Sequence, residues 1–309
     1  MTPGPSLHPR ATACGKVIVA GEHSVVYGYP ALAAAIPSSL ELTATPGNAE
    51  ALVQLRIPAW EIDVALTPDT DHPVALAALE VLGFCDGPLR GWSIEGSTTL
   101  PSRAGLGSSA ALTVALARLC LGQDAPVDTV VQASLAGERV FHGEPSGIDS
   151  EVAARGGLLR YVRGADVEVI PLRHPLSLVV IPSGQPRSTA DQVAKVRVRH
   201  DRFTMVIRPI LDALGALVDR SISAIATNDL DHLGELFNIA HPLLASLDVS
   251  SPILDELCGA ARDCGARGAK LTGAGGGGCI LCLPPDDPAT LCSALRDRGL
   301  TPVLIDLQP

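Results

Sequence analysis

Residues 270–279 read KLTGAGGGGC, so five of ten consecutive positions are glycine. Glycine loses more backbone freedom on folding than any other residue, so such a run is costly unless bare backbone is needed. Two uses compete. A loose hairpin turn tolerates glycine without requiring it. A backbone wall pressed against a ligand does require it, most readily against a polyphosphate whose oxygens accept backbone N–H bonds. The flanks, AKLTG and CILCLP, are short and apolar, which makes the run the turn of a β-hairpin.

The chain has 309 residues, of which 47% are hydrophobic, ample material for a core. At this length a single core usually stops growing, and two domains are expected. The cut falls near Pro175, giving 1–175 and 176–309. A net charge of -10 argues against a nucleic-acid or anionic-membrane partner, which would ask for a basic face, but a small anionic substrate needs only a few local cations. No run approaches the roughly 18 apolar residues of a membrane span. The opening MTPGPSLHPR lacks the apolar segment of a leader, so we expect a cytoplasmic protein, with residues 1–10 disordered. Eight scattered cysteines in a long chain read as reduced, buried thiols. Cys279 and Cys282 form a C-x-x-C, but on a strand they point to opposite faces and cannot share a metal. Of 23 basic residues only three are lysines, and Lys16 and Lys270 both lie beside glycine motifs.

Strands and helices mix in both halves. KVIVAG (16–21) reads as a strand, with Gly28 and Pro30 marking a turn. Residues 108–122 read as a buried helix closed by Gly122. Residues 128–143 read as a second helix with Asp128 as N-cap, and a third begins near Pro145. GGLLRYV and LSLVVI read as strands, and one long helical region runs from about 189 to 227. Two further helices follow, then the glycine hairpin, a helix opened by Pro288 and a last strand, TPVLIDL.

Three stretches carry chemistry. In PSRAGLGSSAA (101–111), two glycines precede two serines that open a helix. A helix N-terminus offers unpaired N–H groups and a partial positive charge, a natural phosphate site. The serines can cap that helix or ligate Mg²⁺. The polar, proline-broken GSTTLPSR before it argues against a buried strand and hence against a dinucleotide fingerprint. In GERVFHGEPSGIDS (137–150), a turn brings Glu138 and Asp149 together, an arrangement suited to Mg²⁺ and a base. Taken alone, a solvated helix face also accounts for Glu138, and a cap for Asp149. In GKVIVAGEHSVVYG (15–28), Lys16 enters a buried strand while Glu22 and His23 leave it.

Together with QPRSTADQV (185–193) and the glycine run, these stretches resemble, in order, the motifs of the GHMP kinase superfamily. GEHSVVYG and HGEPSGID are most similar to its mevalonate branch. The likeness spans about Gly15 to Leu283 and implies a two-domain α+β fold. Its N-terminal domain would resemble the second domain of ribosomal protein S5, and its C-terminal domain would be ferredoxin-like. Residue by residue, the resemblance makes Asp149 the catalytic acid–base group and Lys16 its cationic partner. It makes Ser109 and Glu138 the Mg²⁺ ligands. It makes Arg103, Ala104, Gly105, Leu106, Gly107, Ser108, Ser109 and Ala110 the ATP-binding loop. Glu22, His23, Ser146, Arg160 and Thr189 fall on the substrate side, and Gly273, Gly275 and Gly276 on a closing loop lined by backbone.

The implied reaction is ATP-dependent phosphorylation of the primary alcohol of mevalonate, giving 5-phosphomevalonate and ADP for isoprenoid synthesis. A homodimer is compatible with the family. A superfamily kinase acting on phosphomevalonate would need more cations than Arg103, Arg139, Arg155 and Arg160 near the motifs. The contexts of Lys16 and Glu138 argue against a related decarboxylase. The presence of both the acid and the lysine argues against a non-catalytic sensor.

Overall fold

The computed structural model describes residues 6–100 and 104–309. Arg103 therefore lies outside the described residues. The chain forms two compact units that interleave along the sequence. The first comprises Met1–Lys16, Pro37–Ser102 and Leu106–Gly156, and the second Val17–Ile36, Arg103–Gly105 and Gly157–Pro309. The expected cut near Pro175 treats each domain as one continuous stretch, whereas these units are discontinuous. Strands β1 (Arg10–Ala20) and β2 (Ala31–Pro46) pair with each other, and each contributes to both units along its length. Leu7 is buried and the His8 N–H donates to the Leu119 carbonyl at 2.7 Å, so order begins before residue 10, contrary to expectation.

The rest of the first unit runs β3 (Gln54–Ile57), β4 (Ile62–Ala65), α1 (Pro73–Phe84), β5 (Trp92–Thr98), α2 (Ser108–Leu121), α3 (Val127–His142) and α4 (Ile148–Arg155). β3 pairs antiparallel with β4 and parallel with β5, and β5 pairs antiparallel with Leu40–Pro46 of β2. The polar stretch before the phosphate loop is thus partly strand, because Gly96–Thr98 find partners on β2. Alternate residues Leu40, Leu42, Leu55, Ile57 and Ile94 are buried, as the two-residue strand period requires. Helix α3 packs against α1 and α2, and α2 against α4. α2 is rich in alanine and buries residues around most of its circumference. α3 starts one residue before the expected cap: Pro126 is its N-cap, and Asp128 lies in the first turn, paired with Arg155. α4 starts at Ile148 rather than near Pro145, because Gly147 takes a left-handed conformation just before it.

In the second unit, β6 (Leu158–Tyr161) pairs with Ala31–Ala34 of β2, and β7 (Glu168–Ile170) pairs with β6. Then follow β8 (Leu176–Pro182), α5 (Thr189–Arg202), α6 (Thr204–Ala226), α7 (Leu230–Ser246), α8 (Pro252–Asp263), β9 (Gly268–Thr272), β10 (Cys279–Leu283), α9 (Pro288–Asp297) and β11 (Val303–Leu307). The last four strands form an antiparallel sheet in the order β11-β8-β10-β9. Val179, Ile181, Leu271 and Ile280 from this sheet share a core with Leu211, Leu214, Leu236 and Leu254 from the helices. The expected single helical region is two helices broken at Phe203. There the Thr204 hydroxyl donates to the His200 carbonyl at 2.7 Å, a side-chain bond that competes with continuation of the helix. The glycine run joins β9 to β10 as expected, with Thr272 opposite Cys279 closing the hairpin. Among the described residues no helix is long and apolar enough to cross a membrane.

Candidate active site

In the first unit, Lys16 lies on β1, and its N–H donates to the Leu106 carbonyl at 2.8 Å, tying the strand to the phosphate loop. Gly107 has φ +76°, and a Cβ there would stand 2.9 Å from Lys16 Cγ. Both the left-handed backbone and the close approach demand glycine. The Lys16 side chain is only 8% exposed, and its Nζ reaches Asp149 Oδ1 at 3.1 Å. Asp149 occupies the first turn of α4, where the helix dipole favours an acid.

Glu138, on α3, is 1% exposed, which excludes a solvated helix face. Its Oε1 is buried without a hydrogen-bond partner. Burial, helped by the Asp149 charge, raises its pKa to about 8, against the opposing pull of a Ser109 hydrogen bond and of Lys16. One turn on, His142 Nε2 stands 3.6 Å from Glu138 Oε2 and 3.5 Å from Ser109 Oγ. A desolvated carboxylate with an unpartnered oxygen, beside a serine hydroxyl, fits a hard divalent cation. Among the described residues no group of three or more His, Cys, Asp or Glu could hold a metal. The remaining ligands would have to come from nucleotide phosphates and water.

Neither Ser108 nor Ser109 caps α2. Gly107 is the N-cap, with no side-chain bond. The first-turn N–H groups at Ser108, Ser109 and Ala110 therefore face the loop uncapped, as an anion site needs. A buried hydroxyl chain sets the three helices that carry this chemistry. Thr113 Oγ1 on α2 bonds Ser134 Oγ on α3 at 2.7 Å, and Ser134 donates to Ser150 Oγ on α4 at 2.9 Å. These three residues were missed; the only sequence signal was a lone threonine in the apolar run of α2.

The second unit holds another group. Ala104 accepts from Cys279 Sγ at 3.2 Å, and Gly105 accepts from Arg187 Nη2 at 3.3 Å. Arg187 Nη1 also reaches the Thr272 carbonyl, at 3.4 Å. Arg187 stands in QPRSTADQV, where the sequence reading assigned only Thr189, an exposed residue opening α5. Arg160 pairs with Asp219 at 3.1 Å. Ser146, in the first unit, is exposed in the turn before α4. Glu22 carries no exposed side-chain surface and forms an ion pair with Lys270, so it is not presented to a substrate here. His23 is buried, with Nε2 2.9 Å from the Ala274 carbonyl, and burial lowers its pKa to about 4.

The glycine run is packed against the rest of its own unit. Gly275 and Gly277 are buried, and Gly273 and Gly276 are half-buried. Gly273, Gly275 and Gly276 have φ of +76°, +74° and +71°. Added Cβ atoms would strike the Arg187 guanidinium, the Val249 carbonyl and the Gln192 amide respectively. The chain's own backbone and side chains thus account for glycine at these positions.

Residues 73–157 match the N-terminal domain of the GHMP kinases and residues 221–299 the C-terminal domain. A mevalonate kinase of Pyrococcus furiosus is 37% identical over 96% of this chain and 95% of its own length. One of Candida albicans is 30% identical over 89% of this chain and 81% of its own. The crystal structure of L. major mevalonate kinase in complex with R-mevalonate superposes with a TM-score of 0.86 at 27% identity, covering 99% of this chain and 98% of that one. Matched by both GHMP kinase domains and by full-length relatives at this identity, the chain belongs to the mevalonate kinase family of the GHMP kinases.

Proposed function

We propose that the chain transfers the γ-phosphoryl group of ATP to the primary alcohol of mevalonate. The observation that carries this reading is the Lys16–Asp149 pair at 3.1 Å, in the same unit as Glu138, Ser109 and the uncapped start of α2. Phosphoryl transfer has a loose transition state, so positioning and charge neutralisation dominate. Asp149 receives the hydroxyl proton as the alcohol oxygen bonds to the γ-phosphorus and the bond to the ADP oxygen breaks. Lys16 holds that carboxylate in place and offsets charge on the transferring oxygens. The α2 N-terminus holds phosphate oxygens through backbone N–H groups. Glu138 and Ser109 would hold Mg²⁺, which supplies charge neutralisation of the β- and γ-phosphates.

The domain division 1–175 and 176–309 belongs to the same proposal, with the phosphate loop in the first part and the glycine run in the second. His23, Ser146, Arg160 and Thr189 stay on the substrate side of this reading. Preference for mevalonate over phosphomevalonate is supported by the arginines: of the four near the motifs, Arg155 is paired with Glu151 and Asp128, and Arg160 with Asp219. The test is ADP release with mevalonate, phosphomevalonate, homoserine and galactose in turn. Turnover of phosphomevalonate without turnover of mevalonate would overturn the assignment.

A further inference from the structure

Within the second unit, the start of the glycine motif is latched at residues 270, 272 and 274 to the end of β1 and the turn after it. Lys270 Nζ pairs with Glu22 and donates to the Ile18 carbonyl at 3.2 Å. Thr272 Oγ1 accepts from the Ile18 N–H at 3.1 Å and donates to the Ile18 carbonyl at 3.0 Å. The Ala274 carbonyl meets His23 Nε2 at 2.9 Å. Lys270 and Thr272 share one face of β9, and Ala274 follows in the turn beyond it.

Between the outer latches sits a strained residue. His23 has φ +61° and ψ -41°, outside the regions that residues with a Cβ favour. Such a conformation is strained and persists only where the surroundings over-determine it. Here the surroundings are named: Glu22, held by a fully buried ammonium on one side, and the Ala274 carbonyl on the other. Lys270 has no exposed side-chain surface, and its Nζ lies 5.5 Å from the centre of the Phe237 ring. A buried ion pair is weak evidence for stability, since a matched neutral pair often serves the fold as well.

We propose that Lys270 and Glu22 are positioning residues for the alcohol substrate: the pair holds the Glu22–His23 turn in its strained form and registers that turn against the glycine run. This rests on the reading of the chain as a kinase of mevalonate, with His23 on the substrate side. Removing the pair releases His23 to an ordinary backbone conformation and lowers affinity for the alcohol, while nucleotide contacts at the start of α2, in the first unit, are untouched.

The test is the double variant Glu22→Gln/Lys270→Met, with Glu22→Gln alone as its companion, which removes the counter-charge but keeps the side-chain shape and an oxygen acceptor for Lys270. Melting temperature and steady-state kinetics are measured on one preparation of each. The expected result for the double variant is a melting temperature within a few degrees of wild type, a KM for mevalonate raised at least about tenfold, and a KM for ATP changed less than about twofold. Glu22→Gln alone should raise the KM for mevalonate several-fold. A double variant that melts normally with unchanged kinetics overturns the proposal. If the double variant does not fold, an unchanged KM for mevalonate in Glu22→Gln overturns it equally. Wild-type turnover of mevalonate tests the parent reading separately; if wild type uses another alcohol of the panel, the same ratios are taken on that alcohol.

Discussion

The ammonium of Lys16 stands 3.1 Å from the carboxylate of Asp149, with the lysine nearly sealed from solvent and the aspartate 29% exposed. A cation locked inside and an acid open on one side give the pair a direction: Asp149 can meet a hydroxyl while Lys16 cannot leave. Asp149→Asn should therefore fold and bind ATP as wild type does, yet turn over about 10²–10⁴-fold more slowly, the usual range for losing a general base. Nucleotide titration and kcat on the same protein check this, and wild-type turnover would remove Asp149 from the chemistry.

Glu138→Gln should separate metal use from stability. The pKa of Glu138 is raised to about 8 by burial, so without a cation its ionised form opposes folding. Stability of the metal-free wild type then falls as pH rises through the interval between the ordinary carboxylate range and about 8, and the whole penalty is present above it. Glutamine carries no such penalty. In chelator at pH 9 the variant should melt higher than wild type, while its Mg²⁺ titration of turnover shifts to higher concentration. An unshifted titration would return Glu138 to a purely structural place.

His23 gives the opposite pH sign. Its folded pKa is lowered to about 4, so its contribution is present above the ordinary histidine value near 6.5 and is lost as pH falls toward 4. A depression of this size corresponds to roughly 3 kcal/mol. His23→Asn keeps a residue that tolerates positive φ but does not titrate. Its melting temperature should fall less than that of wild type between pH 6.5 and pH 4; parallel curves would show that His23 does not govern this limb.

Gly275 and Gly276 should respond unequally to a methyl group. At Gly275 the new Cβ meets the Val249 carbonyl, which belongs to the backbone, whereas at Gly276 it meets the end of the flexible Gln192 side chain. Gly275→Ala should lower the melting temperature clearly more than Gly276→Ala. Equal losses would show that positive φ alone sets the requirement. Gly276→Val, with a branched side chain in a half-buried loop, should destabilise the fold as well as impair kinetics.

Lys16, Glu138 and Asp149 could be proposed from sequence because each sits in a short local motif and the proposed chemistry tolerates few residue types. Their mutual placement was not, since it depends on how α2, α3 and α4 pack around Thr113, Ser134 and Ser150, three hydroxyls that look ordinary in sequence. The region between β2 and the phosphate loop gave little signal. β3 and β4 span four residues each, too short to show a period, and α1, PVALAALEVLGF, is apolar on most faces. The hairpin around the glycine run was plain from composition, but its packing was not. Val249, Gln192 and Arg187, which require those glycines, lie far off in the chain. So does Glu22, 248 residues from the lysine it neutralises.

That long reach bears on how such a chain could be divided. A fragment beginning at residue 176 keeps β8 to β11 and helices α5 to α9, which look like a self-sufficient module. It would also keep Lys270, at the centre of that module, without the only described carboxylate paired with it. An ammonium sealed among apolar side chains with no counter-charge must lose its proton or open the core to water. Expressed alone, the C-terminal part should be insoluble or loosely folded, and co-expression of a separate piece containing Val17–Ile36 should restore it. The two parts would then behave as a complemented pair, in the way of a split reporter, and the second could not be moved by gene fusion as an independent block.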